Sequence, residues 1–277
     1  MTNRLVIEPE HGWFSLRLSA IWQYRELLYF LIWRDVKVRY TQTALGVSWV
    51  ILQPVLSTVV FTFLFGRLLK VPTGDVPYPL FVYAALLPWN YFASSLNRAA
   101  ASVVNNASLV TKVYFPRLII PLAGILSGLV DFCMASIVLA GLMSYYHVNL
   151  SLRIFMLFPF LLVAMITALG FGLWLSALNV RFRDVNLLTP FLLQIWMYAT
   201  PVIYGSSIVP EKLRFLLGLN PMTGVVEGYR WALFGTSFPA GLTNLYGLIV
   251  PSGISLIVLA SGAVFFRRSE RKFADII

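Results

Sequence analysis

Charge is scarce in this sequence. Only 12% of its 277 residues are Asp, Glu, Lys or Arg, about half the share of an ordinary soluble domain. Together with a hydrophobic fraction of 59% and a mean hydropathy of +0.79, this excludes a conventional soluble enzyme and a disordered chain. Cysteine is nearly missing: Cys133 alone cannot close an internal disulfide or build a thiolate metal site. The two histidines, His11 and His147, are far apart and no HExxH occurs, so no metal site is expected. No glycine is followed by lysine, which removes the phosphate loop of a nucleotide hydrolase, and no Gly-x-Ser-x-Gly elbow is present. No catalytic residues and no cofactor bound by this chain are therefore expected.

What charge there is leans one way, to a net +10 and a pI near 9.9. In so apolar a chain that excess is a topology signal before it is a nucleic-acid signal. Continuous apolar runs occupy about 47–66, 78–99, 119–146, 153–178, 189–205 and 246–266, near the 20 or so residues a membrane helix needs. Their lack of alternation argues against a β-barrel. The expected fold is an all-α integral membrane protein with six transmembrane helices. No cleavable signal peptide is expected, because the first long run begins only near Val47. With both termini cytoplasmic, fifteen of the 21 basic residues fall inside, among them Arg34, Lys37, Arg39, Lys112, Arg117, Arg181 and Arg183.

Four pieces lie outside this bundle. Residues 1–20 read as a tail. Residues 21–41 carry Ile21, Tyr24, Leu28 and Leu31 at helical spacing with Trp22, Tyr29 and Trp33 nearby, an amphipathic helix in the cytoplasmic interface or a plain positive anchor. In 105–117, Leu109 and Val113 are four apart, as are Val110 and Tyr114, and Pro116 stops the turn. Its apolar face either docks on a cytosolic partner or lies back on the membrane. Arg181-Phe-Arg183, in 179–186, is topology charge or a second contact to the same partner. Residues 206–245 suggest two short helices, with Asn220-Pro221 and Gly224 breaking the run between them. A re-entrant pair dipping from the outer face fits, with Glu227 and Arg230 on one helix face.

Within the spans the conspicuous ionisable residue is Asp131, which must face the bundle interior and find a partner or a proton. Arg98 is expected to snorkel toward the inner surface. Phe61 and Phe65, Trp89 and Phe92, and Phe191 and Tyr198 with Trp196 beside them share helix faces by spacing. They line a passage for a sugar polymer or pack in the core or against lipid.

The arrangement resembles the permease subunit of ABC-2 type polysaccharide exporters, which move O-antigen, capsule or teichoic acid chains. The stretches that carry the resemblance are Arg34-Asp-Val-Lys-Val-Arg-Tyr40, Leu45-Gly-Val-Ser-Trp49, Gln53-Pro54, Leu109-Val-Thr-Lys-Val-Tyr-Phe-Pro-Arg117, Asn179-Val-Arg-Phe-Arg-Asp184, Leu219-Asn-Pro-Met222 and Tyr229-Arg230. The resemblance implies a homodimer in the bacterial inner membrane and two copies of a separate cytoplasmic ATPase, which hold ATP and Mg2+. Residues 42–277 become the six-helix domain, 105–117 its coupling helix, 21–41 the helix beside a lateral gate, and 206–245 the outer re-entrant helices. The implied cargo is a glycan on a polyprenyl diphosphate. Arg34, Lys37, Arg39 and Tyr40 stand where its headgroup arrives, and Phe61, Phe65, Trp89, Trp196 and Tyr198 along the path. Leu109, Val110, Lys112, Val113, Tyr114, Arg117, Arg181 and Arg183 then contact the ATPase. An exporter of small lipids or drugs and a membrane-embedded glycan-processing enzyme working without ATP remain alternatives. The enzyme needs an acid–base pair that Asp131 alone does not supply.

Overall fold

The computed structural model describes residues 22–41, 46, 48–149, 151–235, 246–271 and 273. The tail 1–20 and residues 236–245 of the outer segment lie outside the described residues. All regular secondary structure among the described residues is helical. In chain order the α-helices are α1 (Arg25–Thr41), α2 (Ser48–Phe61), α3 (Tyr78–Asn105), α4 (Ala107–Lys112), α5 (Ile119–Leu126) and α6 (Gly128–Tyr145), followed by α7 (Leu157–Arg181), α8 (Val185–Ala199), α9 (Glu211–Leu219), α10 (Pro221–Phe234) and α11 (Tyr246–Glu270).

Four stretches are long and apolar enough to cross a membrane: Ser48–Leu68, Ile119–Tyr145, Leu152–Arg181 and Gly247–Glu270. The first joins α2 to a π-helical turn at Thr62–Leu68, and the second joins α5 to α6 across Ser127. The other two expected spans differ for physical reasons. α3 is 28 residues long and carries Asn90, Ser94, Ser95, Asn97 and Arg98. It packs against α2, α5, α6, α7, α8 and α10, and a helix walled by protein need not dissolve in lipid. α8 is apolar but only 15 residues long. It ends at Ala199 rather than near 205, because Pro201 has no N–H to continue the ladder.

Two cores result. The larger surrounds α3 and unites Leu80, Tyr83, Phe92, Leu96, Phe160, Val226 and Tyr229. The smaller, at the end of the bundle where α3 stops, joins Leu31 of α1 to Val103, Val110, Phe115, Ile119, Leu173, Phe266 and Phe273. α7 and α11 meet closely, since a Cβ at Gly170 would lie 2.7 Å from the Leu259 backbone N, and Thr167 and Ser255 hydroxyls share a 2.7 Å hydrogen bond.

The outer segment folds as α9 and α10. Asn220 caps α10 by accepting from Met222 N at 3.1 Å, and Pro221 occupies its first turn, where a missing N–H costs nothing. Gly224 does not break the run: it lies within α10, where a side chain would collide with Pro251 of α11. The coupling stretch also differs from expectation. α4 spans six residues, and Val113 is already extended. Val110 and Tyr114 therefore do not share a face; Val110 is buried in the smaller core, whereas Tyr114 is 78% exposed.

Candidate functional site

The end of the bundle holding the smaller core gathers most of the expected site. α1 lies there, with Leu31 inserted among Val103, Val110 and Ile119. Its other face presents Tyr29, Phe30 and Trp33 to the exterior. The helix is thus apolar on two sides, one taken by protein and one open, as suits a helix lying in a headgroup layer. Beside it Lys112, the last residue of the short α4, and Val113 and Tyr114 after it are exposed. Leu109 is half-buried, and Val110 faces the core.

Arg117 is held differently from its neighbours. It donates through its guanidinium to the Glu270 carbonyl at the end of α11, its N–H donates to Glu270 Oε1 at 3.3 Å, and the guanidinium lies 5.9 Å from the Phe273 ring centre. The turn after α7 reaches the same end. Buried Asn179 donates to Ala100 O on α3 at 3.0 Å and to Asn186 Oδ1 at 2.9 Å. This pins the turn that exposes Arg181, Phe182 and Arg183. Asn179 and Asn186 bound the stretch singled out in the sequence but received no role there, because a lone Asn at a helix end gives no distance signal.

The four residues expected to meet a headgroup are not equivalent. Arg34 pairs with Asp35 at 2.8 Å. Lys37 is exposed and, among the described residues, makes no ion pair. Arg39 and Tyr40 instead turn inward and both donate to Asp131 on α6. Arg98 of α3 joins them, donating to Asp131 Oδ2 at 3.2 Å, and is anchored by Gly124 O at 2.9 Å and by the Ser95 and Ser94 hydroxyls at 3.1 and 3.3 Å. Arg98 therefore does not snorkel. A carboxylate and carbonyl within reach repay desolvation that a route to the surface would have avoided. Burial, and then the bond to Asp131, push the Tyr40 phenol up to about 12, so it stays a neutral donor.

The aromatics divide in the same way. Trp89 is buried against Phe92 and Trp196, with ring centres 5.5 and 6.5 Å away. Trp196 donates to Asn220 Oδ1 at 3.0 Å and packs on Phe171. These two are packing residues within one chain. Phe61 and Phe65 are partly buried, 6.1 Å apart edge to face. Tyr198 is exposed, as are Phe191 and Ile195 on the same helix.

At the opposite end Glu227 and Arg230 are paired at 3.2 Å. Arg230 is 1% exposed. It donates to Pro201 O and Val202 O at 2.7 Å each and lies 3.5 Å over the Phe81 ring.

A helical membrane protein with a basic end, an aromatic helix flanking it and exposed apolar residues between its helices has the layout of a transporter's membrane subunit. The chain belongs to the ABC-2 type transporter family, whose model matches residues 26–234. It is 32% identical over 270 residues to the O-antigen export system permease protein RfbA of Myxococcus xanthus, covering 94% of this chain and 98% of that protein. It is 28% identical over 254 residues to the protein of that name from Klebsiella pneumoniae, covering 91% and 95%. The polysialic acid transport protein KpsM of Escherichia coli is 23% identical over 252 residues, covering 87% and 92%.

Proposed function

We propose that this chain is the membrane permease of an ATP-driven exporter that carries a lipid-linked, O-antigen-like polysaccharide across a bacterial inner membrane. The observation that carries the reading is near full-length similarity to O-antigen export permeases, with capsule and polysialic acid transporters further out. The sequence has no nucleotide-binding motif, so hydrolysis belongs to a separate ABC ATPase. In this reading α3 and α8 join the four long apolar stretches to make six passes, with α9 and α10 as outer re-entrant helices and both termini in the cytoplasm. Two copies enclose the passage. Only 11% of the most apolar part of Ser48–Leu68 is buried, and one face of α8 is open, so both have surface to give to a second copy. Phe191 and Tyr198 are the aromatics we assign to the glycan path, in place of Trp89 and Trp196.

Lys112, Val113 and Tyr114 are the docking residues in this reading, with Arg181 and Arg183 beside them. Arg117 relays movement to α11 rather than touching the ATPase. The experiment is gentle purification of the complex from native membranes. Equal amounts of chain and ATPase are expected, and Val113→Asp with Tyr114→Asp should release the ATPase while leaving the chain folded, because both side chains are exposed. Isolation of the chain alone, from membranes that still export after every candidate ATPase is deleted, would overturn the reading in favour of an ATP-independent protein.

A further inference from the structure

Asp131 is one acid between two arginines. Arg39 from α1 and Arg98 from α3 donate to the same oxygen, Oδ2, while the Tyr40 hydroxyl donates to Oδ1. The cluster therefore keeps an unbalanced positive charge. Its members are also held unequally. Arg98 is fixed on α3 by Gly124, Ser94 and Ser95 whether or not the acid is present. Among the described residues, the side-chain hydrogen bonds that Arg39 and Tyr40 make to another helix go to Asp131. Their grip on it holds the C-terminal end of α1, whereas Leu31 is buried nearer the other end of that helix. The side chains of Arg39, Arg98 and Asp131 are 27%, 21% and 17% exposed, so the cluster is open enough for an anion to reach.

We propose that this cluster is an anion-exchange site, in which the diphosphate of a membrane lipid displaces the Asp131 carboxylate from Arg39 and Arg98 and thereby frees the end of α1 from α6. The inference rests on the exporter reading and names the residues that would take the headgroup. A carboxylate shares one oxygen between two guanidinium groups here, whereas a diphosphate brings several oxygens and at least two charges. Each guanidinium then gains its own charge-assisted bonds. The ligand moves α1 because it binds the open arrangement better than the closed one, where Asp131 competes for the same donors. Exposed Lys37 lies on the same helix, two residues before Arg39.

The test uses the assembled complex in lipid nanodiscs and a labelled, sugar-free polyprenyl diphosphate. Removing an internal competitor tightens binding, so Asp131→Asn should bind about tenfold more tightly, a usual size for coupling between two ligands. Arg39→Gln added to that variant should abolish the gain. Glu26→Gln, which removes an exposed acid from α1, should leave affinity unchanged; an equal gain there would reduce the effect to bulk charge and overturn the proposal. A second measurement needs no change in the cluster. With Cys133→Ser, spin labels at Val38→Cys and Ile137→Cys, both exposed, should separate when polyprenyl diphosphate is added. An unchanged distance overturns the release of α1. A response to phosphatidylglycerol as large as that to polyprenyl diphosphate overturns the assignment to a diphosphate. Wild-type complex that binds the probe, with no tightening in Asp131→Asn, overturns this inference alone. Complex that binds no polyprenyl diphosphate overturns the exporter reading with it.

Discussion

Arg230 shows what a single buried charge does in this molecule. The last turn of α8 is followed by Pro201, and the carbonyls of Pro201, Val202 and Tyr204 would otherwise face the interior unpaired. Arg230 donates to all three, to Phe81 O at 3.3 Å and to Glu227. Orphaned buried carbonyls and an abandoned carboxylate are both costly. Arg230→Met should therefore lower stability by about 3–5 kcal/mol, the cost of breaking a buried pair by removing one partner. Glu227→Gln should cost less, because the guanidinium keeps its carbonyls. Thermal unfolding of the purified complex in one detergent orders the two, and a larger loss for Glu227→Gln would contradict the account. Tyr40→Phe should be milder than either. It removes one of three donors to Asp131, a loss of about 1.5–3 kcal/mol for a bond to a charged group.

Several close helix approaches in this bundle fall where the sequence omits a side chain. At Gly170 a Cβ would lie 2.7 Å from Leu259 N and 2.9 Å from its Cα. Backbone cannot yield as a flexible side chain does, so Gly170→Ala must push α7 and α11 apart and lower the unfolding temperature. Gly218→Ala, in α9 with nothing within 4 Å of the added carbon, should be neutral or stabilise by up to about 1 kcal/mol through helix propensity. The same unfolding measurement separates the pair. Which elements exist was plain in the sequence wherever the chain's own pattern decides them. Four of the six long apolar runs became stretches able to cross a membrane, and Asn220-Pro221, expected as a break, stands at the start of α10. The rest depends on neighbours distant in sequence. Gly224 looks like a breaker until Pro251 is beside it. Val110 looks exposed until Leu31 and Phe266 join its core. Arg98 looked like a snorkelling charge and Asp131 like a lone acid, because their bond joins positions 33 residues apart and Arg39 is 92 residues from the acid. Opposite charges in two different apolar runs were the available signal.

At the scale of the whole molecule, charge and packing agree on one orientation. The end with the smaller core carries Arg34, Lys37, Lys112, Arg117, Arg181, Arg183, Arg267 and Arg268 around α1, α4, the α7–α8 turn and the end of α11. Asn179, bonded to Ala100 and to Asn186, ties the α7–α8 turn to α3. The opposite end carries fewer basic residues, Arg67, Lys70, Arg153, Lys212 and Arg214, beside Asp75 and Glu211. Basic residues in short segments stay on the cytoplasmic side, because moving them across the membrane during insertion is opposed. In the proposed exporter the basic end is the one that meets the ATPase. In a Cys133→Ser background, Ser108→Cys and Arg183→Cys should react with a membrane-impermeant maleimide only in inside-out vesicles. Lys212→Cys should react only in right-side-out cells. All three positions are exposed, so silence on one side reports the membrane rather than burial. Labelling of Ser108→Cys from outside would invert the molecule, place Lys112 and Tyr114 where no cytoplasmic ATPase can reach them, and remove the coupling route from α4 through Arg117 to α11.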